Sequence, residues 1–293
     1  MNRLHPYYKS FNEDFTLLQG DCRELLPLFD FKFDMIFADP PYFLSNGGKS
    51  ISSGKIVSVN KGDWDQAGSL EEIDRFNEEW LNLCYKKLRS GGTIWVSGTY
   101  HNIFSVGHLM QKIGFRILNI ITWQKSNPPR NIYDTHFRFA SEHIIWGKKE
   151  GAKHCLNSDI IKEMNDGSML NDVWKLPAVR MWEKKQGKHT TQKPLSLLSR
   201  IILSCTKPHD WILDPFAGSG TTGIASSLLN KRFCGTEQMD SYCELARKRR
   251  EEIENLDTQF DYLEKIYKEI EVKREESYMV SEDIIPDIRM LPF

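Results

Sequence analysis

Asp39-Pro40-Pro41-Tyr42 combines residue types that suit the recognition of a flat ring carrying an amine. The two prolines stiffen the backbone and remove two amide donors, so carbonyl groups and the Asp39 carboxylate form a rim of hydrogen-bond acceptors. An exocyclic amine has two hydrogens to donate to such a rim, and Tyr42 can stack on the ring that carries it. A proline-rich turn covered by a tyrosine has the same composition, so the tetrapeptide alone supports both interpretations equally.

A second segment, residues 214–222, reads Asp-Pro-Phe-Ala-Gly-Ser-Gly-Thr-Thr. Its small residues let a ligand approach the backbone and the start of a following helix. It is not a phosphate-binding Walker loop, because Thr221 stands where a lysine is required. A dinucleotide fingerprint fits poorly, since the residues before Gly218 do not match its tight turn. Glu237 follows the next predicted strand, where a carboxylate can accept hydrogen bonds from ribose hydroxyls. The segment therefore predicts a nucleoside site.

Alternating strands and helices must position these two segments. Apolar runs predict strands at residues 15–18, 33–38, 93–97, 116–123, 143–146, 211–213 and 232–235. Helices are predicted at residues 23–28 and 221–229, and from the Ser69/Glu72 capping box to a stop at Gly91-Gly92. This alternation predicts a parallel sheet covered on both faces, with ligands beyond the carboxyl ends of the strands. Both segments follow such ends.

Composition limits the class of protein. Hydrophobic residues make up 40% of the 293 residues, enough for one large core with an inserted or appended segment. The 39 basic and 40 acidic residues nearly cancel, which excludes a histone-like polycation. The six cysteines show neither a C-x-x-C pair nor zinc-type spacing, so we expect reduced cysteines and no metal. With no signal peptide and no apolar run of bilayer length, we expect a soluble cytoplasmic protein without membrane contact.

Two stretches interrupt the alternation. Residues 43–68 are rich in Gly, Ser and Asn and are too long for a simple connector, which predicts a functional or mobile loop. The second, residues 148–192, has weak periodicity and reads as an inserted recognition segment. Residues 123–193 carry 13 basic and 8 acidic residues, so this region can face phosphate.

The two segments together, in this order, resemble the S-adenosylmethionine-dependent DNA amino-methyltransferases of the permuted β group. The resemblance extends over about residues 10–255. Aspartate at position 39, rather than serine, is similar to the adenine-N6 members more than to most cytosine-N4 members. Residues 39–48, 61–65, 121–125 and 127–128 resemble the second methylase of GATC restriction systems, the DpnA type. In residues 131–139 the resemblance is weaker, which leaves the target sequence open.

The resemblance implies a Rossmann-like methyltransferase fold with a mostly parallel seven-stranded sheet and circularly permuted motifs. We predict a catalytic half at residues 1–147, an inserted target-recognition segment at 148–188, a cofactor-binding half at 189–255 and an acidic helical tail at 256–293. The tail carries helical spacing of apolar residues, which predicts packing on the body or on a second subunit. Its acidity argues against contact with DNA.

Site residues follow from the same resemblance. Gly20-Asp21-Cys22 is similar to the family's acidic position that contacts the cofactor adenine, and residues 189–194 to its segment that encloses the cofactor, with Thr190 where proline is frequent. The implied catalytic residues are Asp39, Pro40, Pro41 and Tyr42. The implied contacts to S-adenosyl-L-methionine are Asp21, Cys22, Asp39, His189, Gln192, Lys193, Asp214, Phe216, Ala217, Gly218, Ser219, Gly220, Thr221, Thr222 and Glu237.

The expected partner is DNA, and the sequence leaves open whether the strands are double or also single. Candidate phosphate contacts are the basic residues Lys49, Lys55, Lys61, Arg130, Arg138, Arg180, Lys184, Lys185 and Lys188. A homodimer and a cognate restriction endonuclease are expected from the family. The function predicted is transfer of a methyl group to adenine N6 in DNA, and the alternatives are a cytosine-N4 methyltransferase and a catalytically silent subunit that binds nucleic acid.

Overall fold

The structure, a computed structural model, describes residues 4–42, 49–52, 55–58, 69–128 and 137–272, with backbone alone for 49–52 and 55–58. The strands of this part are β1 (Tyr8–Lys9), β2 (Phe15–Gln19), β3 (Phe33–Ala38), β4 (Lys49–Ser52), β5 (Lys55–Ser58), β6 (Leu88–Gly98), β7 (Phe115–Lys125), β8 (Ser141–Lys149), β9 (Val173–Leu176), β10 (Trp211–Asp214) and β11 (Arg232–Glu237). Its α-helices are α1 (Cys22–Leu25), α2 (Leu70–Lys87), α3 (Ile103–Ile113), α4 (Ser158–Glu163), α5 (Leu195–Cys205), α6 (Thr221–Leu228), α7 (Asp240–Glu252) and α8 (Leu256–Glu269).

Nine of these strands form one sheet in the order β1-β2-β11-β10-β3-β6-β8-β7-β9. Strands β2, β11, β10, β3 and β6 are parallel neighbours, whereas β8 runs antiparallel to both β6 and β7. The predicted mostly parallel, Rossmann-like α/β fold is confirmed. The sheet has two strands more than expected, because the short β1 pairs at one edge and β9 pairs with β7 at the other.

Side chains of the central strand β3 alternate between two hydrophobic cores. Met35 and Phe37 belong to the core that contains the apolar face of α5, and Ile36 and Ala38 belong to the core that contains those of α2 and α3. This period of two is the expected result of strand geometry. Helices therefore cover both faces of the sheet, and its carboxyl edge is left for the connecting loops.

The centre of the sheet explains why the two segments meet. β10 pairs in parallel with β3, with Ile212 opposite Met35 and Leu213 opposite Ile36. From β3 the chain continues toward β6 on one side, while β10 and β11 lie on the other. The strand order thus reverses between β3 and β10, and loops that follow both strands open a crevice at this switch point.

Several element boundaries differ from expectation. The capping box forms, with Glu72 N donating to Ser69 Oγ over 3.3 Å and Ser69 N donating to Glu72 Oε2 over 2.8 Å. The helix nevertheless ends at Lys87 rather than at the glycine pair, because residues from Leu88 onward pair with β3. In the stretch 43–68, β4 and β5 form an antiparallel hairpin, and its remaining residues lie outside the described part.

The predicted insert contributes to the main sheet instead of standing apart, since β9 extends it and α4 contacts α5. The predicted tail helix is present as α8, whose residues Tyr262, Leu263 and Ile266 are buried in the core beside α5. It packs on the body of the protein. Residues 273–293 lie outside the described part. Among the helices described, none is both long enough and apolar enough to cross a bilayer.

Candidate active site

A cavity of about 290 Å³ opens at the switch point between β3 and β10. Four connections border it: the turn after β2, the Asp-Pro-Pro-Tyr loop after β3, the glycine-rich loop after β10 and the loop after β11. Residues 189–193, which precede α5, close it from the side. The size is close to the lower limit of about 300 Å³ for small-molecule sites.

The Asp-Pro-Pro-Tyr loop is held by hydrogen bonds to neighbouring strands. Tyr42 is buried; its hydroxyl donates to Asp39 Oδ1 over 2.6 Å and lies 2.9 Å from Ser97 Oγ on β6. Asn102 Nδ2 donates to the Pro41 carbonyl over 3.1 Å. The tyrosine ring borders the cavity, and its hydroxyl is anchored to Asp39 and to β6.

A chain of alternating charges surrounds Asp39. Lys193 Nζ lies 2.5 Å from Asp39 Oδ2 and 3.6 Å from Glu142 Oε2. Lys125 Nζ in turn lies 2.5 Å from Glu142 Oε1. Burial would lower the pKa of Lys193, but the charges of Asp39 and Glu142 outweigh it and raise the pKa, so this lysine stays cationic.

The glycine-rich loop begins at Asp214, and both oxygens of its carboxylate accept hydrogen bonds from the same segment of chain. Asp214 Oδ1 accepts a hydrogen bond from Phe216 N over 2.9 Å, and Oδ2 accepts one from Thr222 Oγ1 over 2.5 Å. Burial raises the pKa of Asp214 to about 7, although both hydrogen bonds oppose the shift. Asp214 borders the cavity, but its carboxylate shapes the turn that starts α6.

Gly218 lies at the point where the loop turns toward β11. Its φ is +51°, and a β-carbon there would lie 3.1 Å from His189 Nε2, so backbone conformation and space both favour glycine. Gly218 N donates to Glu237 Oε2 over 2.8 Å, and Met239 N donates to Glu237 Oε1 over 2.8 Å. Burial raises the pKa of Glu237 against these hydrogen bonds. The carboxylate is thus fixed at the cavity wall.

The structure does not place Gly220 at the cavity, where the sequence predicts a cofactor contact. A β-carbon on Gly220 would come within 2.8 Å of Ala246 Cβ on α7. Behind the loop, Arg249 Nη1 donates to the Ser219 carbonyl over 2.7 Å and to Thr221 Oγ1 over 2.9 Å. Gly220 and Arg249 therefore hold the loop against α7. No motif in the sequence predicts this role of Arg249.

Opposite the glycine loop, Asp21 ends the turn after β2 and caps α1. Its Oδ1 accepts from Arg23 N over 2.8 Å, and Arg23 Nη2 lies 2.7 Å from Oδ2. Burial would raise the pKa of Asp21, but the hydrogen bonds and charge of Arg23 outweigh it and lower the pKa. Phe76 and Phe216 supply apolar surface nearby, with ring centroids 6.2 Å apart.

The structure therefore brings together the predicted residues from both halves of the chain. Those that border the cavity are Asp21, Cys22, Asp39, Pro40, Pro41, Tyr42, His189, Gln192, Lys193, Asp214, Phe216, Ala217, Gly218, Ser219, Thr221, Thr222 and Glu237. Sequence reasoning missed Arg23, Phe76, Met239 and Tyr242, which also border it. Tyr242 carries no motif, and its ring reaches His189 at a centroid distance of 4.1 Å because α7 follows the Glu237 loop.

The candidate DNA contacts divide into three groups. Lys61 and Arg130 lie outside the described residues, as do the side chains of Lys49 and Lys55. Arg138, Lys184 and Lys188 are surface residues, of which Arg138 and Lys188 are exposed. Arg180 Nε lies 2.8 Å from Glu269 Oε1, and Lys185 Nζ lies 3.6 Å from Glu252 Oε1. These two ion pairs with the C-terminal helices weaken the prediction for Arg180 and Lys185.

A doubly wound sheet whose switch point joins an acceptor-rich Asp-Pro-Pro-Tyr loop to a nucleoside-type glycine loop defines a methyltransferase. The chain belongs to the DNA methylase family, since the family model N6_N4_Mtase matches residues 33–248. This confirms the resemblance inferred from the two segments.

Similar proteins support the same assignment along most of the chain. The Type II methyltransferase M2.MboI of Moraxella bovis is 50% identical over 253 residues, covering 86% of this chain and 93% of that protein. M2.DpnII of Streptococcus pneumoniae, another Type II methyltransferase, is 48% identical and covers 84% and 92%. The crystal structure of the M1.HpyAVI-SAM complex has a TM-score of 0.62 at 28% identity, covering 80% of this chain and 98% of that one.

Proposed function

We propose that the protein transfers a methyl group from S-adenosylmethionine to the N6 amine of adenine in DNA. The observation that carries the proposal is that the loops of two adjacent strands, β3 and β10, border one cavity. One loop offers Asp39 as an acceptor for an amine, and the other offers a glycine backbone and, through Glu237, an acceptor for a ribose.

Carboxylates along the cavity wall can accept hydrogen bonds from the donor groups of the proposed cofactor. Glu237 is fixed where it can accept from ribose hydroxyls, and Asp21 is fixed where it can accept from an adenine amine. Ala217, Gly218 and Ser219 border the cavity with small side chains or none, so a ligand can approach the loop backbone closely. The bound cofactor would supply an activated methyl on a sulfonium, and His189, Gln192 and Lys193 would close the site over it.

In the proposed reaction, Asp39 and the Pro40 carbonyl each accept one hydrogen of the adenine N6 amine. Because the Pro41 carbonyl is already engaged by Asn102, Pro40 is the proline assigned to this role. Holding both hydrogens aims the nitrogen lone pair at the methyl group. With the methyl group supplied by the bound cofactor, a new N–C bond would form as the S–C bond breaks, and the proton that N6 loses would pass to the Asp39 carboxylate, which already accepts that hydrogen. Positioning of this kind can lower a barrier by about 7–11 kcal/mol.

An adenine inside a duplex cannot enter such a cavity and must swing out, which costs a few kcal/mol. Tyr42 borders the cavity with its hydroxyl fixed, so its ring is a rigid surface for stacking; such contacts contribute about 1–3 kcal/mol per base. We assign the stacking role to Tyr42 on this basis.

DNA would approach the edge of the sheet that carries the cavity. Tyr100 follows β6 and Phe139 precedes the antiparallel β8, so both lie at this edge. They are about half exposed, at 50% and 53%, and their rings stack with centroids 5.4 Å apart. Phe137 and Arg138 are exposed beside them. Aromatic rings next to a basic residue suit contact with unstacked bases and phosphates.

The test is methylation by purified protein with tritiated S-adenosylmethionine. Duplexes that contain GATC are compared with duplexes of scrambled sequence and with the matching single strands, and the product is digested to nucleosides. We expect label in N6-methyldeoxyadenosine of the GATC substrates. Label in N4-methyldeoxycytidine would support the cytosine alternative, and DNA binding without any label would support the silent subunit.

GATC as the target, a cognate restriction endonuclease and a homodimer belong to the proposal through the similarity to Type II methyltransferases. Expression of the protein in cells that carry a GATC-cleaving endonuclease tests the first two together. Cellular DNA that stays sensitive to cleavage would refute the target. Sedimentation of the purified chain with and without DNA tests the dimer.

A further inference from the structure

Each oxygen of the acceptor at the centre of the site already accepts one hydrogen bond from the protein's own donors. Asp39 Oδ2 lies 2.5 Å from Lys193 Nζ, and Oδ1 accepts from the Tyr42 hydroxyl at 2.6 Å. An adenine amine that donates to Asp39 must therefore displace or share a donor that is present. The Lys193 side chain is only 5% exposed, so its ammonium cannot simply turn into water.

A second carboxylate stands on the other side of the same ammonium. Glu142 Oε2 lies 3.6 Å from Lys193 Nζ, and the Glu142 side chain is 13% exposed. Lys125 holds the opposite oxygen, Oε1, at 2.5 Å. Glu142 lies on β8, which is paired on both sides, so its position is set by the sheet. A movement of about 1 Å would bring Lys193 to the usual distance of about 2.8 Å for a charge-assisted hydrogen bond.

We propose that Glu142 is a positioning residue that receives Lys193 when the adenine amine takes its place at Asp39. The inference rests on the function proposed above. Lys193 exchanges one carboxylate for the other and so keeps a carboxylate partner at every stage, while Asp39 keeps the Tyr42 hydroxyl as a donor and gains the N6 amine.

The energetic reason is the cost of an uncompensated charge in a buried site. Removing one partner from a buried ion pair is strongly unfavourable, which would oppose displacement of Lys193 by a neutral adenine. Among the residues that the structure describes, the charged and titratable groups that face Lys193 are Asp39, Glu142 and Tyr42, and Lys125 lies beyond Glu142. With Glu142 in place the Lys193 ammonium has a carboxylate beside it before and after the exchange.

The experiment compares Glu142→Gln with wild type in methylation of the substrate DNA. The amide keeps the shape of the side chain and removes its charge. We expect kcat to fall about 10- to 100-fold, as for loss of a hydrogen bond to a charged group. The Kd for S-adenosylmethionine should stay within about twofold, since the change does not touch the glycine loop. The alkaline limb of the kcat–pH profile should move to lower pH, because Lys193 loses a charge that raises its pKa.

Two further variants distinguish the proposed positioning role of Glu142 from a purely structural role. Glu142→Asp keeps the charge and should restore part of the activity, together with the position of the alkaline limb. Glu150→Gln is the matched control: Glu150 directly follows β8, its side chain is 52% exposed, and its ion pairs with Arg116 and Lys148 lie away from the cavity. It should match wild type in every measurement.

Wild-type kcat in Glu142→Gln would overturn the inference. Equal losses of activity, cofactor affinity and thermal stability would also overturn it, because they would show a structural brace only. A wild-type protein that methylates no DNA would instead refute the proposed function, and the inference with it.

Discussion

Asp39 is held by two donors before any substrate arrives, and its chemistry depends on that preorganisation. Tyr42 and Lys193 hold the two carboxylate oxygens at hydrogen-bond distance, so the orientation of the group is set by β6 and by the segment before α5 as well as by its own loop. A carboxylate that is positioned in advance loses little entropy when it binds an amine.

Replacing Asp39 with asparagine should abolish methyl transfer while leaving cofactor binding intact. The amide keeps the shape but presents only one good acceptor and no charge to the N6 amine. We expect kcat to fall at least about 100-fold and the Kd for S-adenosylmethionine to change by less than about threefold. Single-turnover kinetics and calorimetry measure the two quantities. Retained turnover on adenine-containing DNA would refute the role of Asp39.

Asp214 should make the stability of the protein depend on pH. Its pKa is raised by burial from 3.8 to about 7, so between these values the folded protein holds a proton that the unfolded chain has released. The stabilisation that results is fully present below pH 3.8 and is lost as the pH rises through about 7.

Asp214→Asn removes this titration while it keeps an acceptor for Phe216 N. From pH 5 to pH 8, the free energy of unfolding of the variant relative to wild type should rise by something on the order of 2–3 kcal/mol. Urea unfolding at both pH values measures the difference. A constant difference across this range would show that Asp214 is ionised in the folded protein throughout.

At the scale of elements, the glycine-rich loop is supported from behind by α7. Arg249, which is 4% exposed, donates to the loop at Ser219 and Thr221, and the close approach of Gly220 to Ala246 permits this contact. The loop that borders the cavity is therefore held from behind by Arg249 of α7, a residue that does not itself border the cavity.

Arg249→Met keeps the apolar length of the side chain and removes the donors. The unpaired Ser219 carbonyl should lower the stability by about 2–4 kcal/mol and weaken S-adenosylmethionine binding roughly tenfold. Thermal unfolding and calorimetry give the two values. Arg247→Met is the matched control on the same helix, since Arg247 forms only surface pairs with Glu244 and Glu251. If both variants behave alike, Arg249 does not support the loop.

The elements also show what the sequence can predict. Asp39 and Gly218 lie in contiguous segments whose composition follows from their local task, and both could be found from the sequence. Glu142 and Arg249 could not be found in this way. Glu142 depends on the register that places it opposite Trp123 of β7, and Arg249 depends on how α7 packs on the loop. Contacts between residues that are far apart in the chain leave no local pattern in the sequence.

At the scale of the whole molecule, basic and acidic residues are nearly equal in number, so the net charge does not indicate which face would bind DNA. Only local features of the surface can indicate it. The cavity edge carries the stacked pair Tyr100 and Phe139, whereas Phe11, fully exposed, precedes β2 and lies at the opposite edge. The predicted sheet and permuted order were available from the sequence, but the pairing of Tyr100 with Phe139 at the cavity edge was not.

Tyr100→Ala combined with Phe139→Ala should raise the KM for DNA about 10-fold or more, because each lost base contact costs about 1–3 kcal/mol. Cofactor affinity and thermal stability should stay near wild type. Phe11→Ala serves as the control with an exposed ring on the other edge. Steady-state kinetics with varied DNA measures the effect, and an unchanged KM in the double variant would place the DNA elsewhere.

The pairing of β3 with β10 has a consequence for synthesis of the protein. β3 leaves the ribosome long before its neighbour β10, because strands β6 to β9 of the main sheet and helices α2 to α5 are made between them. Until β10 is made, the Asp-Pro-Pro-Tyr loop has no partner across the crevice, and the nascent chain has no complete cavity. The site therefore forms only after the two halves of the sheet have both been synthesised.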